Sequence, residues 1–344
     1  MQVQSRPLPA TMTAATTRRY GGPEVIALET MPVPHPAPGE VLVRIHASAV
    51  TTGDWRLRGA AYPAGLRLVG RLATGLFRPR HVVPGVTFSG TVVATGEGAT
   101  RFAVGEPVFG ALNRGGHADY IAVPESAAIA AKPMSLTHAQ AAALPFGAAT
   151  ADHFLRHLGQ VRAGERVLIT GASGAVGHVG IQIARALGAH VTALTSPGNA
   201  DFVRGLGAEE VIDYTRQDVT AEGARFDAVF DTIGHLDFGR ARGLLRHGGR
   251  YLTTEGGWRE ARQMLAPKRR HGHAVRFGVS APDAAQLERL AQLAEAGKLA
   301  PVIEQSFPLA EIARAHEAVE TRRRRGVVAL DMRPSEARPA PAAA

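Results

Sequence analysis

The segment from Arg166 to Leu187 constrains the fold of this chain more than any other part of its sequence. An apolar run of strand length, Arg166–Thr170, enters the glycine-rich turn Gly171–Gly177, and an apolar pattern of helical period follows at Val176, Val179, Gly180, Ile183 and Leu187. A helix that begins directly after such a turn points free backbone N–H groups and its positive dipole end at a phosphate. With the further strand that follows at His190–Leu194, the segment predicts a dinucleotide-binding βαβ unit.

The turn itself supplies four candidate cofactor-binding residues. Gly174 allows the backbone to approach a pyrophosphate closely, and Gly177 allows the helix to pack tightly on the strand. Ala175 and Val176 lie between them, where their N–H groups would face the phosphates. The pattern departs from the usual fingerprint because Ala172 occupies the place of its first glycine.

The end of the second strand predicts which dinucleotide binds. An Asp or Glu there would bind the ribose 2′-hydroxyl of NAD and repel the 2′-phosphate of NADP. The sequence has Thr195, Ser196 and Asn199 instead, with no acidic residue and no arginine in the turn. We therefore expect NADP(H), held in part by these three residues. The alternative is that Ser196 and Asn199 only form the turn.

The pattern of elements divides the 344 residues into two domains. Short strands before Pro133, beginning with Thr13–Tyr20, predict an antiparallel, partly barrelled β domain. Alternating strands and helices after it predict a doubly wound parallel sheet, so the fold class is α/β. The last strand, Gly326–Met332, lies beyond that sheet and can return to the first domain. The predicted limits are 12–133 with 281–332 for the discontinuous first domain, 134–280 for the nucleotide-binding domain, and 1–11 and 333–344 for disordered tails.

Two helices are expected at the border between the domains. Thr137–Leu144 is rich in alanine, and the following Pro145 lacks the N–H group that a helix interior uses. We therefore expect the first helix to stop at Pro145 and a second helix to run from Thr150 to Leu158.

Composition excludes several classes of site and partner. The chain has no cysteine, which removes disulfides, thiolate nucleophiles, iron–sulfur clusters and Cys-ligated zinc. No apolar run reaches the ~18 residues of a membrane span, and the first 20 residues lack the apolar core of a secretory signal. We therefore expect a cytoplasmic protein with no membrane partner.

The formal charge of +9 makes a nucleic-acid binder one possible reading. Two local clusters, Lys268–Arg270 and Arg322–Arg325, carry part of that charge. Aromatic residues do not interleave with either cluster, so stacking platforms for bases are not evident. We therefore expect solvated surface at both clusters and no nucleic-acid partner.

Ordered motifs along the chain resemble one family. They are Gly21–Val25, Pro38–Val43, Pro84–Gly90, Gly105–Gly110, Gly115–Tyr120, Ala141–Pro145, Val211–Tyr214 and Phe226–Asp231. Over 12–332 the chain resembles the medium-chain dehydrogenases/reductases, in the zinc-independent quinone oxidoreductase branch that includes zeta-crystallin. The resemblance implies a GroES-like catalytic domain, a Rossmann domain and an active site in the cleft between them.

The resemblance also adds residues to the candidate site. Tyr214 matches a tyrosine that lies beside the 2′-phosphate in NADPH-dependent relatives, and Thr150 matches a threonine near the nicotinamide. Phe277 and Val279 belong to a segment that matches the lining of the nicotinamide end. The chain departs from the family where an asparagine, an aspartate and a lysine are usual, at Thr51, Thr87 and Val327.

The expected chemistry needs no metal. The chain lacks cysteine ligands and has no Gly-His-Glu motif after Asp54, and its spaced histidine pairs lack a full ligand set. Hydride addition to a quinone or an α,β-unsaturated carbonyl requires orientation and hydrogen-bond donors toward the developing oxygen anion. The candidate catalytic donors are Tyr62, which matches a family tyrosine, Thr51 and Arg56. Asp54 is expected to order the loop.

Three other functions stay open at this point. They are a zinc-free alcohol or aldehyde dehydrogenase, a nucleotide-binding protein with little catalysis, and a nucleic-acid binder. All three are compatible with parts of the sequence, because the glycine turn predicts a bound nucleotide and does not name a substrate.

One edge of the parallel sheet suggests how the chain assembles. Ala274–Val279 is expected to be its last strand, with unpaired N–H and C=O groups along the outer side. In relatives of the family this edge meets its twofold copy, so we expect a homodimer. The alternative is a monomer whose edge is blunted by the charges of His273 and Arg276.

Overall fold

The computed structural model describes residues 8–62, 67–223, 225–265 and 272–333. The N-terminal part is mostly β-structure, with two short helices between its third and fourth strands. Its elements are β1 Thr11–Thr17, β2 Ile26–Pro32, β3 Glu40–Val50, α1 Thr52–Gly59, α2 Arg67–Thr74, β4 Thr87–Thr95, β5 Pro107–Ala111, β6 Tyr120–Pro124 and β7 Ala128–Ala131.

Alternating helices and strands follow, and two strands close the chain. The helices are α3 His138–Ala143, α4 Ala149–Asp152, α5 Gly177–Ala186, α6 Ala200–Gly205, α7 Phe238–Ala241, α8 Trp258–Leu265, α9 Ala284–Glu295 and α10 Ile312–Glu320. The strands are β8 Arg166–Thr170, β9 His190–Thr195, β10 Glu210–Asp213, β11 Phe226–Asp231, β12 Leu245–Thr253, β13 Ala274–Phe277, β14 Ile303–Pro308 and β15 Val327–Asp331. None of the helices in the described ranges is both long and apolar enough to cross a membrane.

The first strand differs from its prediction at both ends. β1 starts at Thr11, inside the segment predicted as a tail, and it ends at Thr17 rather than Tyr20. The reason is its partner, because β2 pairs with it from Thr11 opposite Pro32 to Thr17 opposite Ile26 and offers no further residues. The rest of the predicted tails, 1–7 and 334–344, and the cluster Lys268–Arg270 lie outside the described residues.

The prediction that Pro145 ends a helix was wrong. The helical path continues from α3 through a wide turn at Leu144–Ala148 into α4, and a second wide turn follows at His153–Leu158. Proline removes one N–H group and its ring collides with the carbonyl four residues earlier in an α-helix. A π-type turn widens the helix at that point, so the chain passes the proline without breaking.

A six-stranded parallel sheet forms the nucleotide-binding half. Its strand order is β10-β9-β8-β11-β12-β13, and all its neighbours pair in parallel. The chain runs outward from β8 to β10 and then returns to build the other side, so the order reverses between β8 and β11. Ligands of open α/β sheets bind at such a switch point, beyond the carboxyl ends of the strands.

The C-terminal strands join the N-terminal sheet. β15 pairs antiparallel with β3, and β14 pairs in parallel with β15, which gives a seven-stranded order β14-β15-β3-β4-β5-β7, with β6 also paired to β3. The chain therefore crosses the border between the two halves twice. The residue limits predicted for the domains stay predictions.

A buried carboxylate organises the carboxyl edge of the parallel sheet. Asp231, at the end of β11, is fully buried. One of its oxygens accepts hydrogen bonds from the Thr170 hydroxyl (2.5 Å) and from two backbone N–H groups, and the other accepts from Leu236 N (2.8 Å) and the Tyr251 hydroxyl (3.1 Å). Three of these five donors belong to the loop that follows β11 and two lie on β8 and β12, so the carboxylate ties that loop to both neighbouring strands.

We expect Asp231→Asn to lower the free energy of unfolding by about 1–3 kcal/mol, because an amide nitrogen would face a donor where an acceptor is needed. Urea denaturation with an unchanged slope measures the loss. Asp237→Asn is the matched control, since exposed Asp237 caps α7 through Arg240 N (2.8 Å) and asparagine caps equally well. Equal losses in the two variants would contradict the role given to Asp231.

Candidate active site

The glycine turn after β8 is closed by two glycines that touch each other. Gly171 has a positive φ of 60°, and a Cβ there would lie 2.6 Å from Ile233 and 2.7 Å from Thr232. A Cβ at Gly177 would overlap the carbonyl oxygen of Gly171. Gly171 therefore provides the tight turn that the sequence pattern assigned to the position of Ala172. The missing first glycine lies one residue earlier.

The middle of the turn is open, as a phosphate-binding backbone requires. A Cβ at Gly174 would meet the Gly171 oxygen alone, at 3.3 Å. α5 begins at Gly177, directly after Ala175 and Val176. His178 N already donates to the Gly174 oxygen (3.0 Å), so the N–H groups that can face an anion here are those of Ala175, Val176 and Gly177.

A buried histidine holds the turn in shape. The Nε2 atom of His178 accepts a hydrogen bond from Val302 N (3.0 Å), so the proton lies on Nδ1, which donates to the Gly174 oxygen (2.8 Å). Burial lowers the pKa of His178 to about 4, and the ring is neutral near pH 7. Gly326 N also donates to the Ser173 oxygen (2.7 Å), so the C-terminal segment holds the turn at a second point.

The polar residues predicted after β9 come together with an arginine from the end of the chain. Asn199 donates through Nδ2 to the hydroxyls of Ser173 and Ser196, each at 3.1 Å. Arg325 donates to the side-chain oxygen of Asn199 (2.5 Å) and to the Gly198 oxygen (2.7 Å). Residues 195–199 contain no arginine, but the fold brings Arg325 into contact with them.

Tyr214 reaches the same corner from the next strand. Its backbone N–H donates to the oxygen of Thr195 at 3.3 Å, so it follows β10 where β9 also ends. Its side chain is half exposed, and its ring lies 5.8 Å from that of His235. Tyr214, Thr195, Ser196 and Asn199 therefore share one corner of the carboxyl edge.

The residues predicted for the nicotinamide end lie on separate elements. The wide turn that leads into α4, the helix carrying Thr150, packs directly on the glycine turn, since a Cβ at Gly147 would lie 2.5 Å from the Ala175 oxygen. Thr150 itself is half-buried in α4. The Phe277 ring, at the end of β13, lies against Gly256, whereas Val279 is 85% exposed.

Thr51 caps a helix in this structure. Its hydroxyl accepts from Asp54 N (3.2 Å) and Asp54 Oδ2 accepts from Thr51 N (2.8 Å), a reciprocal cap at the start of α1, and the same hydroxyl donates to Asp54 Oδ2 (2.6 Å). The second oxygen of Asp54 accepts from Val86 N (3.0 Å), which ties the loop before β4 to the helix. The hydroxyl proton of Thr51 is thus already bound.

Tyr62 follows α1 in the N-terminal part of the chain and packs against α2. Its ring covers Gly70, where a Cβ would lie 2.5 Å from the ring carbon Cγ. Its hydroxyl hydrogen-bonds with Thr74 Oγ1, and Thr74 in turn donates to the Gly70 oxygen (2.9 Å). Burial raises the pKa of Tyr62, so the phenol is protonated near pH 7 and able to donate.

Arg56 forms an ion pair across the two halves of the molecule. Its guanidinium donates to both carboxylate oxygens of Glu255 at 2.5 Å, just beyond the end of β12. Arg322 lies 3.5 Å from the same carboxylate. Sequence reasoning missed Glu255, although an acidic residue at the carboxyl end of a parallel strand was a usable signal.

The expectation of solvated surface at Arg322–Arg325 was wrong for Arg324 alone, since Arg322, Arg323 and Arg325 are exposed, although two of these three also bind neighbouring segments. Arg322 donates to the Ile233 oxygen (3.2 Å), and Arg325 binds Asn199. Arg324 donates to the Val319 oxygen (2.8 Å) and the Thr52 hydroxyl (3.2 Å), and burial lowers its pKa to about 10. Through these hydrogen bonds, the run Arg322–Arg325 joins the last helix to the carboxyl edge of the parallel sheet.

Metal ligands do not gather anywhere in the part of the chain that the structure describes. No group of three His, Asp or Glu side chains there is close enough to hold an ion. Independence from zinc stays a prediction, because it concerns the loaded protein in solution.

Two family models match the two halves of the chain. One, described as an alcohol dehydrogenase GroES-like domain, matches residues 37–133. The other, described as a zinc-binding dehydrogenase, matches residues 206–330. Together with the parallel sheet, they confirm the predicted fold class of a GroES-like domain joined to a Rossmann domain.

Relatives and solved structures extend the similarity over nearly the whole chain. The chain is 30% identical to NAD(P)H oxidoreductase RTN4IP1, mitochondrial, of Danio rerio, over 92% of this chain and 90% of that protein. It is 29% identical to the NADPH-dependent alkenal/one oxidoreductase, chloroplastic, of Arabidopsis thaliana, over 94% and 80%. The structure of the quinone oxidoreductase from Coxiella burnetii superposes with a TM-score of 0.82 at 28% identity, covering 94% and 100%. The chain belongs to the medium-chain dehydrogenase/reductase superfamily, in its quinone oxidoreductase-like branch.

Proposed function

We propose that the protein is an NADPH-dependent oxidoreductase that transfers a hydride to a small quinone or α,β-unsaturated carbonyl without zinc. The observation that carries the proposal is the corner beside the open glycine turn where Arg325 binds Asn199, which in turn binds Ser196. The names of the relatives support the reaction class, since they include an NAD(P)H oxidoreductase and an alkenal/one oxidoreductase.

The residues present fit an NADP dinucleotide. The open backbone at Gly174 and the free start of α5 suit a pyrophosphate, and the corner combines a guanidinium with hydroxyl and amide donors and no carboxylate at 195–199. The residues that would hold the cofactor are Thr150, Gly174, Ala175, Val176, Gly177, Thr195, Ser196, Asn199, Tyr214, Phe277, Val279 and, in addition, Arg325.

The cofactor would supply the hydride, and the side chains would provide orientation and hydrogen bonding. We assign the donor toward the substrate oxygen to Tyr62, whose protonated hydroxyl can exchange Thr74 for a substrate partner. Thr51 and Arg56 act as positioning residues, the first by capping α1 and the second by joining α1 to Glu255. Quinones and enones accept hydride without a Lewis acid because charge spreads onto an oxygen already conjugated with the reacting carbon.

The proposal includes an assembly and a location. β13 is the outer strand of the parallel sheet in the described residues, and pairing with a twofold copy would cover that edge, so we propose a homodimer. We propose the cytoplasm as the compartment.

Arg325→Gln should weaken NADPH binding about tenfold to a hundredfold and leave NADH binding within about twofold, because only NADPH offers a phosphate to the guanidinium. Calorimetric titration of both cofactors measures the two dissociation constants. Arg323→Gln is the matched control, since it removes the same charge from an exposed side chain two residues away. Equal weakening of NADPH and NADH by Arg325→Gln would contradict the proposed contact.

Purified protein should oxidise NADPH in the presence of quinones or 2-alkenals, with unchanged rates after chelator treatment and no stoichiometric zinc by elemental analysis. One zinc per chain, lost together with activity, would overturn the zinc-free proposal. Turnover restricted to alcohols or aldehydes would favour the alternative dehydrogenase. Tight NADPH binding without any turnover would favour a nucleotide-binding role.

Tyr62→Phe should lower kcat about a hundredfold if the hydroxyl serves the substrate oxygen. Thr74→Val is the control, because it removes the same internal hydrogen bond and keeps the phenol. Steady-state kinetics of both variants decide between the roles. Equal and small effects on kcat would show that the tyrosine only packs on α2.

A further inference from the structure

α2 presents its large apolar side chains to solvent. Leu68, Val69 and Leu72 are 67%, 59% and 58% exposed. The opposite side of the helix carries Gly70 and Thr74, which face the protein: Gly70 lies under the Tyr62 ring, and Thr74 hydrogen-bonds with the Tyr62 hydroxyl. A surface helix of a globular domain normally has the reverse orientation, with its apolar side packed on the core.

The turn after α2 continues the apolar surface. Leu76 is exposed, and Phe77 is 87% exposed. The turn folds back on the helix, since Arg80 N donates to the Thr74 oxygen (2.7 Å) and the Arg71 side chain donates to the Leu76 oxygen (3.1 Å). We call Leu68, Val69, Leu72, Leu76 and Phe77 the α2 face.

The α2 face concentrates apolar exposure. Thirteen large hydrophobic side chains are exposed in the described ranges, and five of them lie in the ten-residue stretch 68–77. Single exposed leucines need no explanation, whereas a contiguous group of this kind marks an interaction surface.

The charge around the α2 face is positive and uncompensated within its own segment. Residues 59–96 contain four arginines and neither aspartate nor glutamate, whereas Arg56 and Arg58 just before them are paired with Glu255 and Glu320. Arg78, Arg80 and His81 are exposed directly after Phe77, and partial burial lowers the pKa of His81, as do the charges of Arg114 and Arg80. Apolar side chains flanked by arginines are the pattern of segments that bind the interface of anionic bilayers.

We propose that the α2 face docks on an anionic phospholipid surface, with Leu68, Leu72 and Phe77 in the headgroup–acyl boundary and the arginines on lipid phosphates. A second copy fits less well, because a twofold contact would place the same arginines against each other. A partner segment that inserts into a groove of this protein also fits less well, because Phe77 protrudes from the α2 face and is 87% exposed. The expectation of no membrane partner rested on the absence of a spanning segment, which a peripheral contact does not need.

The α2 face lies on the outer side of the helix that packs on Tyr62, so docking would bring the candidate site close to the lipid. This consequence rests on the proposed function, and quinones and enones of low polarity dissolve in lipid. The docking itself does not depend on the reaction, and a vesicle-binding experiment tests it separately.

The full chain should sediment with phosphatidylcholine vesicles that contain phosphatidylglycerol at least about tenfold more strongly than with pure phosphatidylcholine vesicles, and less so as salt rises. Leu72→Ser with Phe77→Ser should weaken binding to the anionic vesicles about tenfold. Arg78→Gln with Arg80→Gln should remove most of the preference for the anionic lipid. Leu28→Ser with Val104→Ser is the matched control, since these exposed apolar side chains lie on β2 and in the turn before β5 and do not belong to the α2 face.

Thermal unfolding and NADPH affinity of each variant show that the fold is intact. No sedimentation of the parent chain with anionic vesicles would overturn the proposal, and so would equal losses in the face and control variants. Light scattering without lipid provides a further check. A dimer that becomes a monomer only in the Leu72→Ser, Phe77→Ser variant would assign the face to a second copy and also overturn the proposal.

Discussion

The close contact between Gly177 and the Gly171 carbonyl is the constraint on which the rest of the site depends. A Cβ at either glycine would meet neighbouring atoms, so α5 can begin at this point only because both side chains are absent. The contact aligns the first N–H groups of α5 with the switch point of the sheet, where strand order reverses. His178 then fixes the turn with a neutral ring, which burial maintains.

The C-terminal segment joins the two halves of the molecule at this same edge. After α10 the chain passes through Arg322, a non-glycine residue with a positive φ of 55°, which costs about 1 kcal/mol. The turn places Arg324 on Thr52 and Arg325 on Asn199 before β15 enters the N-terminal sheet. The pair between Arg56 and Glu255 spans the border a second time. Binding at this edge and the relative position of the halves are therefore coupled through the same few side chains.

α2 shows how one helix can serve two surfaces. Its small and polar side packs on Tyr62, and its large apolar side chains are exposed to solvent. The burial of apolar surface that normally holds a helix to a core therefore contributes little to the stability of α2. Two hydroxyls, of Tyr20 and Tyr62, bind the helix end through Gly75 and Thr74 instead. An exposed apolar surface therefore lies on the same short helix that packs on Tyr62.

Local pattern in the sequence determined the fold class, the glycine turn, and the polar corner at Thr195, Ser196 and Asn199, because periodicity and turn residues are read between neighbours in the chain. Tertiary structure alone decided the rest. Arg325 binds Asn199, which lies 126 residues earlier in the chain. The Thr51 hydroxyl donates to Asp54. The helical path continues past Pro145 through a widened turn whose residues are mostly buried. Periodicity and turn chemistry act between neighbours in the chain, whereas the partner of a side chain and the cost of an irregular backbone depend on what the completed fold brings beside them.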